Sequence, residues 1–144
     1  MKPQTLLIVE DNEEDYEHTV RAFRKVGISN SLYRCADGDE ALDYLLRRDK
    51  YADPETSPRP GVILLDLNLP GTDGREVLEE VKNHKDLSMI PLIVLTTSSD
   101  ERDIDACYRL GANSYITKPV DVHGFIDAIT LLKNFWLELA VLPH

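Results

Sequence analysis

Only two cysteines, Cys35 and Cys107, and one tryptophan occur in the 144 residues. The cysteines have neither the spacing of a zinc or redox motif nor the number of a disulfide framework, so both are expected as free thiols packed like small hydrophobes. Positive charge is scarce as well. Sixteen Lys and Arg stand against 26 Asp and Glu, a formal net charge of -10 that repels nucleic-acid phosphates and anionic lipid surfaces, so neither nucleic acid nor membrane is an expected partner. Long apolar runs are missing too: Leu6-Leu7-Ile8-Val9 is too short for a signal peptide or a membrane span. A cytoplasmic chain folding as one domain over residues 1–144 is expected, because this length can bury one sizeable core but not two.

What is present is an alternation of short apolar runs with longer segments of helical period, and it occurs five times. Strands are expected at Thr5–Glu10, Ser31–Cys35, Gly61–Asp66, Pro91–Thr96 and Asn113–Thr117; the second is the least apolar and reads as an edge. Helices are expected at Glu13–Val26, Gly38–Arg48, Gly74–His84, Glu101–Leu110 and Val122–Leu142, with Asp37, Asp73, Asp100 and Asp121 as caps and Gly27 and Gly111 as stops. Between Asp49 and Pro60 three prolines and little apolar content predict a long surface loop. Five βα units joined by right-handed crossovers favour a doubly wound α/β fold, a (βα)5 flavodoxin-like sandwich with parallel strand order 2-1-3-4-5. In that order ligands bind where strands 1 and 3 end, and Glu10, Asp11 and Asp66 all lie there.

Three carboxylates in one crevice repel one another unless a cation neutralises them. With oxygen donors and no His or Cys nearby, the cation this set suits is Mg²⁺. The same sheet edge carries Thr96-Thr97 at the end of the fourth strand and Lys118-Pro119 at the end of the fifth. A hydroxyl and an ammonium there can hold a phosphoryl group, leaving Asp66 as nucleophile. Taken singly each residue has a plainer reading. Lys118 can be a solvated lysine, Thr96 a strand-end hydroxyl bonded to its own backbone, and Tyr115 a half-buried strand aromatic.

Together and in order, Val9-Glu10-Asp11, Leu65-Asp66-Leu67-Asn68-Leu69-Pro70-Gly71, Thr96, Gly111-Ala112 and Tyr115-Ile116-Thr117-Lys118-Pro119 resemble the CheY-like receiver domains of two-component response regulators. The resemblance covers nearly the whole chain. It implies that Asp66 accepts a phosphoryl group from a sensor histidine kinase, and that Asp11 ligates Mg²⁺ while Glu10 helps to position it, commonly through water. It also implies that Asn68 contributes its backbone carbonyl, that Thr96 bonds a phosphoryl oxygen, that Lys118 pairs with Asp66, and that Tyr115 is the switch aromatic. A cis Lys118–Pro119 bond is implied as well. Two departures stand out. Glu10 takes the place of an Asp, and Thr97 fills a position where the family keeps a small residue, which is expected to slow phosphoryl loss.

The proline-rich insert, the Leu95-Thr96-Thr97-Ser98-Ser99 loop and the Phe135-Trp136-Leu137 tail look most like the small response regulators that partner phytochromes. That likeness implies a light-sensing kinase docking near Asp15, Tyr16 and His18. No output domain is expected after the last helix, so the signal is expected to leave through surface contacts. That helix carries apolar residues around about half its circumference, where packing on a sheet needs roughly 100°. Homodimerisation through Phe135 and Trp136 is the expectation, with a fold-back of the tail onto its own domain as the alternative. Two other functions stay open. An aspartate-nucleophile hydrolase of the haloacid-dehalogenase type needs a second Asp two residues on, where Asn68 stands here, and a pseudo-receiver typically lacks one of Asp11, Asp66, Thr96 or Lys118. On the receiver reading the chain is not an enzyme beyond phosphorylating itself from a donor and losing the group slowly.

Overall fold

The computed structural model describes residues 4–139. Five parallel strands, β1 (Leu6–Val9), β2 (Leu32–Cys35), β3 (Val62–Leu65), β4 (Leu92–Thr96) and β5 (Ser114–Thr117), form one sheet in the order β2-β1-β3-β4-β5. They alternate with α1 (Glu13–Lys25), α2 (Gly38–Leu45), α3 (Gly74–Asn83), α4 (Glu101–Leu110) and α5 (Val122–Leu132). The expected flavodoxin-like order is therefore observed, with β2 at an edge.

The three inner strands are apolar, save for Thr96 at the end of β4, because both of their faces are covered. Leu7, Val9, Ile63, Leu65, Leu92 and Val94 point toward α2, α3 and α4. Their neighbours Leu6, Ile8, Val62, Leu64, Ile93 and Leu95 pack with Phe23 of α1 and Ile129 and Leu132 of α5. Helix starts are fixed by side-chain caps, which satisfy amide donors the first turn leaves free. Asp37, Asp73, Asp100 and Asp121 accept from Glu40, Arg75, Arg102 and Gly124 N–H respectively. Asn12 caps α1 in the same way through Asp15 N–H. Gly111 ends α4 at φ 108, a conformation a Cβ disfavours.

Several elements differ from expectation. The helix expected to run unbroken to Leu142 is α-helical only to Leu132, and Lys133–Leu139 continues it with the wider π-type turn. Apolar spacing alone does not separate these two windings. Residues 140–144 and the side chain of Leu139 lie outside the description. Helix α2 stops at Leu45, not Arg48, because Arg47 takes φ 57 and turns the chain into a 3₁₀ turn at Asp49–Tyr51. The insert is also less exposed than its composition suggests. Tyr51 meets Tyr44 with ring centres 5.2 Å apart and planes tilted by 55°, the Tyr44 hydroxyl donates to Pro58 O at 2.7 Å, and Ser57 and Pro60 are buried. Pro58, expected to act only as a breaker, thus supplies the acceptor that ties the loop down.

Candidate functional site

The carboxyl ends of β1, β3, β4 and β5 meet at one crevice. Backbone bonds set it: Glu10 N–H donates to Cys35 O at 3.0 Å, Asp66 N–H to Val9 O at 3.1 Å, and Lys118 N–H to Thr96 O at 2.7 Å. Carboxylate oxygens of Glu10, Asp11 and Asp66 lie within 4.8 Å of one another. Glu10 is buried, Asp66 partly so, and Asp11 faces solvent. The loop after Asp66 is drawn tight against α3, since Gly74 N–H donates to Leu67 O at 3.1 Å and a Cβ on Gly74 would strike the Asp66 carbonyl.

Asp66 Oδ1 accepts from the Thr96 hydroxyl at 3.0 Å and from Asn68 N–H at 3.2 Å. Lys118 Nζ donates to Glu10 Oε1 at 2.6 Å and reaches Asp66 Oδ2 at 3.4 Å. The ammonium therefore bridges the pair but sits closer to Glu10, the buried partner, than to Asp66. Burial pushes the Glu10 carboxyl up to about 7, against the pull of Lys118. For Lys118 burial acts downward, and the bonds to Glu10 and the charge of Asp66 outweigh it and hold the ammonium above its ordinary range. No cis peptide bond occurs among the described residues, which corrects the expected cis Lys118–Pro119 bond. From a trans bond the lysine already reaches both carboxylates.

Tyr115 is half-buried, and its hydroxyl donates to Ser98 O at 2.9 Å in the loop after Thr96. Thr97 is exposed at the mouth of an open groove of ≈ 560 Å³ that also takes in His18, Lys118, Pro119 and Phe125. Asp15 and His18 line that groove. Tyr16 does not; its ring lies 5.0 Å under the Arg34 guanidinium. At the tail, Trp136 packs against the core on the α1 and α5 side and meets Phe135 edge-on at 5.1 Å. The fold-back alternative thus accounts for Trp136, while Phe135 is 51% and Leu131 69% exposed.

Arg34 went unnoticed in the sequence. Its guanidinium donates to Glu10 O and Asp11 O at 3.2 Å each, bracing the backbone of the acidic pair from the edge strand. The signal for it was faint: a basic residue in an otherwise apolar strand next to an acidic strand end.

The donor set suits a hard divalent ion. Two clustered carboxylates beside a buried third offer oxygen ligands only, and the exposed Asp11 leaves room for water on the metal. A family model for the response regulator receiver domain matches residues 6–130. The chain belongs to that family. Among curated relatives, this receiver is 41% identical over 141 residues to response regulator Rcp1 of Synechocystis sp., covering 98% of this chain and 94% of the relative. Among solved structures, the phosphorylated cyanobacterial phytochrome response regulator RcpA superposes with a TM-score of 0.91 at 39% identity over 99% of both chains. The Mn²⁺-bound form of Rcp1 gives a TM-score of 0.90 at 41% identity, covering 99% of this receiver and 100% of that chain. The described residues include no helix long and apolar enough to cross a membrane.

Proposed function

We propose that this receiver accepts a phosphoryl group on Asp66 from the phosphohistidine of a sensor histidine kinase of the phytochrome type. The observation that carries the reading is the convergence on Asp66 of an acidic pair, the Thr96 hydroxyl at 3.0 Å and the Lys118 ammonium at 3.4 Å. A carboxylate oxygen of Asp66 attacks phosphorus, the P–N bond to the donor imidazole breaks, and the electron pair leaves with the imidazole. Thr96 and Lys118 are placed to donate to the phosphoryl oxygens, and Asn68 and Leu67 hold the acceptor loop.

Glu10, Asp11, Asp66 and the Asn68 backbone carbonyl are the groups that would hold Mg²⁺. When bound, the ion supplies the charge neutralisation that lets an anionic carboxylate meet an anionic phosphoryl donor. The similar Rcp1 is known with Mn²⁺ bound, which supports a divalent ion here. Hydrolase chemistry lacks its second acid, because position 68 is an exposed Asn. The pseudo-receiver reading has none of its usual losses, since Asp11, Asp66, Thr96 and Lys118 are all present.

Kinase docking falls on the groove between α1 and the start of α5, which Asp15 and His18 line together with Thr97 and Lys118. Output leaves through Tyr115 and the last helix, whose exposed Leu131 and Phe135 are proposed to meet a second copy in a cytoplasmic homodimer. Transfer of radiolabel from an autophosphorylated phytochrome kinase tests the donor. Label should pass to wild type and not to Asp66→Asn; label retained on the kinase, or found on both proteins, contradicts the reading.

A further inference from the structure

The loop that follows Thr96 is held by more than Tyr115. Ser98 Oγ donates to Asp103 Oδ2 at 2.7 Å, and it accepts Asp100 N–H at 3.4 Å. The other carboxylate oxygen, Asp103 Oδ1, takes two bonds from Arg75, at 2.6 Å from Nη2 and 3.2 Å from Nε. Arg75 lies in the first turn of α3, and its Nη1 also donates to the cap residue Asp73 at 3.0 Å. One chain of contacts thus runs from the end of the acceptor loop, through Arg75 and Asp103 of α4, to Ser98.

Ser98 is fixed from both sides, its hydroxyl by Asp103 and its carbonyl by the Tyr115 hydroxyl. Only Thr97 separates it from Thr96, which in this arrangement already points its hydroxyl at Asp66. Surface ion pairs contribute little to stability on average, and Arg75 and Asp103 are each partly exposed. What distinguishes this pair is the third member: its charge is spent on orienting a hydroxyl in the loop that carries Thr96.

We infer that Arg75, Asp103 and Ser98 act together as positioning residues that hold the β4–α4 loop with Thr96 turned toward Asp66, so that the site is organised before the phosphoryl group arrives. The inference rests on the phosphoacceptor reading above. Bonds from Ser98 and Arg75 hold the Asp103 carboxyl below the usual carboxylate range, so the link persists through the neutral range and down into mild acid. Because coupling is reciprocal, whatever holds Thr96 inward favours occupancy of the site, and occupancy in turn tightens the α3–α4 link.

The test is calorimetric titration of the full chain with beryllofluoride, a phosphoryl mimic, in saturating Mg²⁺. Asp103→Asn and Ser98→Ala should each weaken binding about fivefold, and the double variant should be no weaker than the worse single one, since both break one chain of contacts. Ser98→Thr, which keeps the hydroxyl, should restore most of the affinity. Mg²⁺ affinity measured without beryllofluoride should stay at the wild-type value, which a general loosening of the fold would not allow. Wild-type affinity in both single variants, losses that multiply in the double variant, or an equal loss of Mg²⁺ affinity would each overturn the inference while leaving the acceptor reading in place. Failure of wild type itself to bind beryllofluoride would remove the acceptor reading and this inference with it.

Discussion

The ammonium of Lys118 answers two carboxylates, and the nearer one is buried. Lys118→Met would leave Glu10 without its partner at 2.6 Å; its carboxyl, already raised to about 7, then takes up a proton at neutral pH, and the loss should be about 1–3 kcal/mol, that of an unpaired buried polar group. Added Mg²⁺ should recover part of that loss by supplying the missing positive charge. Urea unfolding of the variant with and without Mg²⁺ checks this, and equal midpoints in the two conditions would count against a shared charge role. Arg34 braces Glu10 and its neighbour Asp11 through their backbone carbonyls. Arg34→Met should weaken Mg²⁺ binding about tenfold, as loss of a group that orients metal ligands does, while leaving the unfolding midpoint near wild type. Thr97→Ala, by opening the groove mouth, should shorten the phosphoryl half-life; an equal or longer half-life would remove the proposed shielding. These residues were not equally legible. Glu10, Asp11, Asp66, Thr96 and Lys118 each stand at or just past the end of a strand, so the strand pattern alone delivers them to one edge. Arg34 sits within an edge strand, where a polar residue is ordinary, and Arg75 and Asp103 belong to separate helices 28 positions apart.

The insert before β3 shows how an element can be fixed by residues that look like surface. Tyr51 donates to Glu40 Oε2 at 2.7 Å, and Ala36 N–H donates to Glu40 Oε1 at the same distance. Burial works against ionisation of Glu40, but these bonds and the Lys50 ammonium outweigh it and hold the carboxyl below its ordinary value. The resulting stability is present above the unfolded-state value and is lost as pH falls through the lowered one. Tyr51→Phe should therefore cost about 0.5–1 kcal/mol at neutral pH, partly screened by solvent, and less in acid. Thermal unfolding across pH reads the difference, and a penalty that grows toward acid would contradict it. The prolines of the insert announced a loop correctly. Its anchoring was hidden, because it depends on Tyr44 of α2 and Tyr51 meeting across a turn that starts at the left-handed Arg47 and Asp49. The winding change at Lys133 was hidden for a different reason: a stripe with spacings of three and four reads alike in α and π turns.

Across the whole molecule, the apolar excess of the last helix divides into two jobs. Trp136 and Leu137 pack on the protein's own core, whereas Leu131 and Phe135 remain exposed. Trp136→Ala should lower stability by about 2 kcal/mol, less than for a fully enclosed Trp, whereas Phe135→Glu should leave stability near wild type and shift a dimer to monomer in sedimentation. A wild-type monomer at all concentrations would remove the homodimer. The sheet order and the helix starts were written in the sequence, since five strand-length runs, four aspartate caps and two glycine stops fell where the structure has them, whereas the ends of α2 and α5 did not. All of it serves one crevice, where β1, β3, β4 and β5 bring their terminal residues to Asp66. Intact mass after incubation with Mg²⁺ and acetyl phosphate tests that claim most directly. Wild type should gain a single phosphoryl group that is lost slowly, and Asp66→Asn, or wild type stripped of Mg²⁺ by chelation, should gain none. An unmodified wild type, turnover of phosphomonoesters, or an adduct that survives in Asp66→Asn would contradict the account.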